Sequence, residues 1–416
     1  MTAPESVHIE RLAAGGDGVG RLGDGRVVFV PRSAPGDLVE LTRLDQRARF
    51  ARAEIGRLVE AGPGRVEPRC PHYTVDRCGG CQLQHLDEAH QREAKRGFVA
   101  DALGRIGRLT VDLPPVIPSG QAWSYRSRVG LAVGPGRRYA GFHPLGQPDR
   151  VFPLERCYIA ADPLMELWTR LRPLLHLLPR DVEQLQLRLD PAGAPHLLVL
   201  TRGDQAWGEG RALGDRLGAP ATVWWHPQGG APRVVAGAVE AYPAMVFEQV
   251  NPVLGAEIRE YAIGQLGEVQ GRLVWDLYAG IGETSERLHR SGATVESVEL
   301  DRRAVEQGER RAPGIARRHA GRAEELVPRL GEPGAVITNP PRTGMDRRVV
   351  EEIIRRRPAR VVYVSCDPAT LARDLALLCG TSPGAGPGGY RLVSVRAYDL
   401  FPQTAHVETV AALEAA

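Results

Sequence analysis

Apolar and polar positions change rhythm twice along the chain. Up to residue 62 they alternate in short runs, Val7-His-Ile-Glu, Arg26-Val-Val-Phe-Val and Asp37-Leu-Val-Glu-Leu. Between them lie the turn clusters Ala14-Gly-Gly-Asp-Gly, Gly23-Asp-Gly and Pro31-Arg-Ser-Ala-Pro-Gly. Short strands at that spacing predict a small closed β-barrel, a shape that often binds oligonucleotides. Ala61-Gly-Pro-Gly-Arg reads as a linker. Residues 63–246 are less regular: three cysteines fall within 63–90, and His90–Leu109 predicts a helix with Phe98, Ala102, Leu103 and Ile106 on one face. Residues 119–246 alternate strand-like runs, such as Leu185-Gln-Leu-Arg-Leu and His196-Leu-Leu-Val-Leu, with Gly and Pro turns, which predicts an antiparallel α+β middle domain. From about residue 247 strands alternate with helical stretches. Arg272-Leu-Val-Trp-Asp-Leu, Thr294-Val-Glu-Ser-Val-Glu-Leu, Gly334-Ala-Val-Ile-Thr and Arg360-Val-Val-Tyr-Val are each followed by a helix-like segment. That is the pattern of βαβ units on a doubly wound, mostly parallel sheet, an α/β fold for residues 247–416.

Composition narrows the class. The chain has 416 residues with 43% hydrophobic and 25% charged side chains, which excludes a mainly disordered protein. No run approaches 18 apolar residues and the start lacks a basic segment followed by an apolar one, so neither a membrane span nor a signal peptide is expected. The expected location is the cytoplasm, where six cysteines serve as metal ligands or nucleophiles rather than disulfides. Net charge is only +3, but residues 91–150 hold ten basic and four acidic side chains and residues 301–360 hold fifteen and nine, each a net +6. Two basic zones on a nearly neutral chain could line a phosphate-facing groove, or be solvated faces.

Three loops carry candidate chemistry in the last third. Asp276-Leu-Tyr-Ala-Gly-Ile-Gly-Glu-Thr-Ser ends a strand and opens a helix, and Gly280 and Gly282 let the backbone approach a ligand. Ser285 occupies the third glycine position of a dinucleotide fingerprint, and Glu299, at the end of the next strand, can take ribose hydroxyls. Asn339-Pro-Pro-Arg-Thr-Gly follows the fourth candidate strand, where such sheets bind ligands. In Val364-Ser-Cys-Asp-Pro, Asp367 can cap a helix starting at Pro368, which sets the Cys366 thiol against a helix N-terminus and favours its thiolate. Near the C-terminus, Phe401-Pro-Gln-Thr-Ala-His-Val-Glu places His406 and Glu408 on one face of a strand, and Glu408 can act as a general base beside a cysteine site. Cys379 reads as a small buried side chain. Cys70, Cys78, Cys81 and the distant Cys157 supply four thiolates, which suits a [4Fe–4S] cluster or a structural zinc.

Taken together these motifs resemble the RNA 5-methyluridine methyltransferases. The pieces are Cys70-x7-Cys78-Gly-Gly-Cys-Gln-Leu-Gln-His85, Phe247-Glu-Gln-Val-Asn251, the Asp276 loop, Asn339-Pro-Pro-Arg-x-Gly, Ser365-Cys-Asp-Pro-x-Thr-x-x-Arg-Asp and the Phe401–Glu408 run, in order over almost the whole chain. The resemblance implies a class I S-adenosylmethionine methyltransferase domain at 247–416, an N-terminal TRAM RNA-binding barrel at 1–62 and an iron–sulfur middle domain at 63–246. It implies that the helix near 90–118 packs on the catalytic domain. It assigns Cys366 as nucleophile and Glu408 as proton-abstracting base. Gln249, Tyr278, Glu299 and Asn339 match cofactor-binding positions, and Cys70, Cys78, Cys81 and Cys157 the ligands of a [4Fe–4S] cluster.

Asn339 and Glu283 stand where the family more often has Asp and Asn, and Asp367 replaces a frequent Asn. The implied reaction is 5-methyluridine formation with S-adenosylmethionine, in which Cys366 adds to C6 so that C5 can attack the methyl group. A TRAM barrel together with a cluster resembles the 23S ribosomal RNA branch of the family, with transfer RNA as the alternative, and a monomer is expected. A non-catalytic iron–sulfur RNA-binding protein is disfavoured by Cys366 and Glu408, and an adenine amino-methyltransferase by Arg342, which holds the place of the expected aromatic residue.

Overall fold

The computed structural model describes residues 5–218, 220–237, 249–383 and 389–416. Five strands close the N-terminal barrel: β1 (Ser6–Leu12), β2 (Gly18–Arg21), β3 (Val27–Val30), β4 (Leu38–Gln46) and β5 (Phe50–Glu60), in the order β1-β2-β3-β5-β4. Val7, Ile9, Val28, Val30, Val39, Ala51 and Ala53 fill it from alternate positions. β5, the longest of these strands, pairs parallel with β3 and antiparallel with β4. It escapes the hydrophobic pattern because its inward residues near the start are only alanines, whereas β2 is short and glycine-rich.

After the cysteine segment comes the helix Glu88–Ala102, capped by Asp87, whose carboxylate accepts from the His90 amide. It runs on into a π-turn, Leu103–Gly107, that ends on Arg108 in the left-handed region. Phe98, Ala102 and Leu103 are buried as the periodicity requires, but Ile106 is 45% exposed. The wider i→i+5 turn rotates it off the shared face. Val99, Ala102, Leu103, Leu113 and Val116 join Trp275, Leu277 and Tyr363 in one core, so this stretch belongs to the C-terminal sheet rather than to its neighbours in sequence.

The middle sheet contains β6 (Arg128–Val133), β7 (Ala140–Phe142), β8 (Phe152–Pro153), β9 (Val182–Leu189), β10 (Pro195–Thr201), β11 (Thr222–Pro227) and β12 (Arg233–Ala236), in the order β12-β11-β10-β9-β6-β7-β8. It departs from the expected antiparallel pattern at one pair: β10 and β11 run parallel, joined by a crossover through the helix Gly210–Leu217. The helix Asp162–Leu171 covers the sheet with Leu164, Leu167, Trp168 and Leu171.

The C-terminal sheet contains β13 (Leu273–Leu277), β14 (Thr294–Glu299), β15 (Arg317–Ala320), β16 (Ala335–Thr338), β17 (Arg360–Ser365), β18 (Tyr390–Tyr398) and β19 (Glu408–Ala415). Their order is β15-β14-β13-β16-β17-β19-β18; the first five are parallel, and β19 runs antiparallel between β17 and β18. Apolar cores lie on both faces, as a mostly parallel sheet requires. The strand order reverses at β13 and β16, so a ligand crevice is expected at their carboxyl ends. Among the described residues no helix is long and apolar enough to cross a membrane.

Candidate active site

The crevice is where the reversal places it. Gln249, Tyr278 and Asn339 line one cleft together with Asp276, Gly280 and Glu283. Asp276 is buried at the end of β13, where burial raises its pKa to about 6 and the Ser285 hydroxyl donates to it at 2.6 Å. Ser285 therefore has its own use where a dinucleotide site would have glycine. Tyr278 takes a left-handed conformation at φ +62°, a strained backbone for a bulky residue and a frequent mark of ligand sites. Gly282 has φ +85°, and a Cβ there would stand 2.2 Å from Nη1 of Arg318.

Glu299, the fourth expected cofactor residue, accepts backbone hydrogen bonds from Gly280 and Asp301, both at 2.8 Å, which ties the end of β14 to the glycine turn. Glu283 is ion-paired with Arg259 and with Arg311 at 3.6 Å. Phe247 and Glu248 of the quoted motif lie outside the described residues, whereas Asn251 caps the following helix through the Leu254 amide.

The Asn339–Met345 loop is held from below. Asp374, fully buried, accepts from the Tyr363 hydroxyl at 2.7 Å and from the Met345 amide at 2.8 Å. Arg373 donates to Asp374 and to the Thr343 carbonyl. The closing Arg-Asp of the cysteine motif thus fixes the neighbouring loop, a role that spacing alone does not reveal.

Cys366 leaves β17 just before Asp367, whose side chain accepts from the Thr370 amide at 2.8 Å. Ser365 pairs with Thr409 across antiparallel β17 and β19, which sets Cys366 opposite Glu408. Glu408 is 2% exposed, and burial lifts its pKa to about 8. The thiol is also raised: burial and the Glu408 charge push it up, and the Arg342 guanidinium beside it opposes them. The sequence expectation of a thiol lowered by its helix is therefore corrected, because desolvation and a neighbouring carboxylate outweigh the helix terminus. Arg342 escaped the sequence reading as a neighbour of the thiol. His406 shares this environment and is pushed down to about 4 by burial, with Arg342, Lys95 and Arg126 adding to the shift.

Cys70, Cys78, Cys81 and Cys157 line a single cavity, although Cys157 comes 76 positions after Cys81. All are free thiols, and burial raises each of them. Cys70, Cys78 and Cys157 add repulsion around Cys81, which a bound cation would remove. Among the described residues, however, no three His, Cys, Asp or Glu side chains converge closely enough to hold one metal ion. The rest of the motif is structural. Gln84 accepts from the Cys70 amide, and His85 contacts the Tyr73 hydroxyl at 2.6 Å and the Ser33 carbonyl of the barrel at 3.1 Å.

The two basic zones separate on inspection. In 301–360 many arginines already face carboxylates, among them Arg302–Glu306, Arg317–Glu296, Arg347–Glu351, Arg355–Glu352 and Arg356–Glu332. That zone is largely an ion-paired helical surface rather than a free phosphate groove. In 91–150, Arg126 is half-buried against the cysteine cavity.

Sheet order, glycine turn and cleft define a class I S-adenosylmethionine-dependent methyltransferase. The signature of the tRNA (Uracil-5-)-methyltransferase family matches residues 322–416, and that of the TRAM domain matches residues 5–55. The chain is 34% identical over 437 residues to the 23S rRNA (uracil(1939)-C(5))-methyltransferase RlmD of Aromatoleum aromaticum, covering 98% of each. It is also 34% identical to an uncharacterized RNA methyltransferase of Gloeobacter violaceus, covering 98% of this chain and 96% of that one. A tRNA (uracil-54, C5)-methyltransferase of Pyrococcus abyssi, solved with S-adenosyl-L-homocysteine, shares the fold at TM-score 0.74 and 23% identity over 98% and 99% of the two chains. The chain belongs to the RNA (uracil-5-)-methyltransferase family, with S-adenosylmethionine as cofactor and RNA as substrate.

Proposed function

We propose that this protein forms 5-methyluridine in 23S ribosomal RNA through a covalent adduct on Cys366. The observation that carries the mechanism is the facing of Cys366 and Glu408 across β17 and β19. Gln249, Tyr278, Glu299 and Asn339 would hold S-adenosylmethionine, which would supply an electrophilic methyl group. Cys366 gives its proton to solvent and its thiolate bonds to uracil C6, shifting the electron pair of the C5–C6 bond into an enolate, so that C5 becomes nucleophilic and would take the methyl group, the sulfonium sulfur keeping the electron pair of the broken bond as a neutral thioether. Glu408 then takes the C5 proton, and the returning electrons break the Cys366–C6 bond to release thiolate and methylated base. A carboxyl poised near pH 8 suits that transfer. The base must leave any stacked helix to reach half-buried Cys366 and buried Glu408.

Full-length relatives named as 23S rRNA enzymes, at 34% and 32% identity, favour ribosomal over transfer RNA. The second reading, transfer RNA, follows from the tRNA (Uracil-5-)-methyltransferase signature at residues 322–416. We place the enzyme in the cytoplasm as a monomer. Cys70, Cys78, Cys81 and Cys157 would hold a [4Fe–4S] cluster, each thiolate on a different iron, and the support for this reading is that all four line one cavity. With every iron ligated, its role is structural.

The test is a pair of variants. Cys366→Ala should abolish both RNA adduct and product, whereas Glu408→Gln should transfer the methyl group but remain cross-linked to methylated RNA. Normal turnover by Cys366→Ala would refute the covalent mechanism. Mapping 5-methyluridine in ribosomal and transfer RNA of a deletion strain decides the substrate.

A further inference from the structure

The loop between β18 and β19, residues 399–407, is tied down almost entirely by residues 82–125 rather than by its own strands. The Gln403 carbonyl accepts from the amides of Gln82 at 3.2 Å and Leu83 at 3.0 Å. The Gln403 amide donates to Gln91 Oε1 at 2.9 Å, and Gln91 Nε2 donates to Gln403 Oε1 at 3.0 Å. The Ala405 amide donates to Gln82 Oε1 at 3.2 Å, while Gln82 Nε2 donates to the carbonyl of Gly79, inside the Cys78-Gly-Gly-Cys81 turn. Tyr125 and Lys95 hold the carbonyls of Pro402 and Phe401, each at 3.0 Å. Gln403 itself is 2% exposed and sits at φ +69°, a conformation that a non-glycine residue keeps only when its surroundings impose it. The barrel closes on the same point, since a Cβ on Gly16 would lie 2.9 Å from Gln82 Cβ and 3.3 Å from Ala405 Cβ.

What this loop carries explains the effort. It passes through His406, which shares Arg342 with Cys366, and enters β19 at Glu408. We propose that Gln82, Gln91 and Gln403 are positioning residues that clamp this loop over the Cys366–Glu408 pair, with the cysteine-rich turn as the fixed end of the clamp. The inference rests on the reaction proposed above. It gives the cysteine cavity a task at the catalytic centre that needs no electron transfer: Gln82 follows Cys81 directly, so whatever holds that turn in shape also holds the loop.

Loosening the clamp should admit water to Glu408 and let its carboxyl drift back toward an ordinary value. Gln91→Met removes both bonds to Gln403, and Gln82→Met removes the acceptor for Ala405. Because Gln82 is only half-buried, that variant should fold even if the first does not. Each is compared with the wild type in single-turnover methylation of a uridine-containing RNA across pH 6–9, in S-adenosylmethionine binding by calorimetry, and in cross-linking to the same RNA carrying 5-fluorouridine. The fluorine cannot be removed as a proton, so that RNA traps the adduct before Glu408 acts. The expected result is a turnover loss of about tenfold to a hundredfold, with the rising pH limb moved lower, cofactor affinity within about twofold, and the 5-fluorouridine adduct still formed. Wild-type turnover and pH limb in Gln82→Met would overturn the clamp, and so would lost turnover with an unmoved limb, which would mark a merely structural part. If the wild type itself forms no adduct with 5-fluorouridine RNA, the covalent reading fails first and the clamp falls with it.

Discussion

Lys95, the only lysine in the chain, is completely buried and donates to the carboxylate of Asp399, 304 residues further along. Every other basic side chain is arginine. A compact ammonium fits this closed space, where a planar guanidinium would demand more acceptors. Lys95→Met should leave Asp399 buried without a cation and cost about 3–5 kcal/mol, read as a shift of the denaturation midpoint. Adding Asp399→Leu should recover much of that loss. A single variant as stable as the wild type would mean that the pair contributes no ionic stabilisation.

Glu408 makes stability depend on pH in an unusual direction. Its ordinary pKa of 4.5 rises to about 8 in the fold through burial. Below about pH 4.5 folded and unfolded chains both keep the proton, and the contribution is whole. Between 4.5 and 8 only the unfolded chain releases it, so the contribution declines and is gone above about pH 8. Glu408→Gln should therefore match the wild type in acid and exceed it at pH 8 and above by on the order of a few kcal/mol. A stability difference independent of pH would show that Glu408 titrates normally.

The glycine turn offers a cleaner test of the cofactor cleft. Gly282→Ala asks an L-residue to adopt φ +85° and drives its Cβ into Arg318. S-adenosylmethionine affinity should fall at least about tenfold by calorimetry, while the barrel and middle sheet keep their folded circular-dichroism signal. Unchanged affinity would move the cofactor elsewhere.

For the cysteine cavity, anaerobically purified protein should be brown and contain about four irons and four sulfides per chain. Cys157→Ser should lose colour and iron despite its distance in sequence from the other three. Stoichiometric zinc in colourless protein would replace the cluster with a mononuclear site.

Much of this was legible from residue patterns, and the gaps have physical causes. The catalytic sheet announced itself because its buried strands are continuous apolar runs, and Cys366 and Glu408 stood in motifs whose flanking caps and prolines fix a backbone. β5 was missed because a barrel strand filled by Ala51 and Ala53 has little apolar contrast. Ile106 was misplaced because periodicity assumes 3.6 residues per turn and the chain inserts a π-turn there. The roles of Asp374, Gln91 and Gln403 were invisible for another reason. Their partners lie in separate segments of the sequence, and no local pattern encodes a hydrogen bond between positions 91 and 403.

The helix Glu88–Ala102 also sets a timetable for synthesis. It leaves the ribosome well before the residues that neutralise Lys95 and satisfy Gln91, which follow 304 and 312 positions later. Val99, Ala102 and Leu103 share their core with residues that come much later in the chain, among them Leu371, Ala372, Val407 and Leu413. Such long-range closure makes folding slow and leaves nascent chains prone to aggregation, so dependence on chaperones is the expected outcome. It also means that chains terminated before residue 399 lack the base, the central antiparallel strand and the partner of the buried lysine at once, and cannot persist as half-active enzymes.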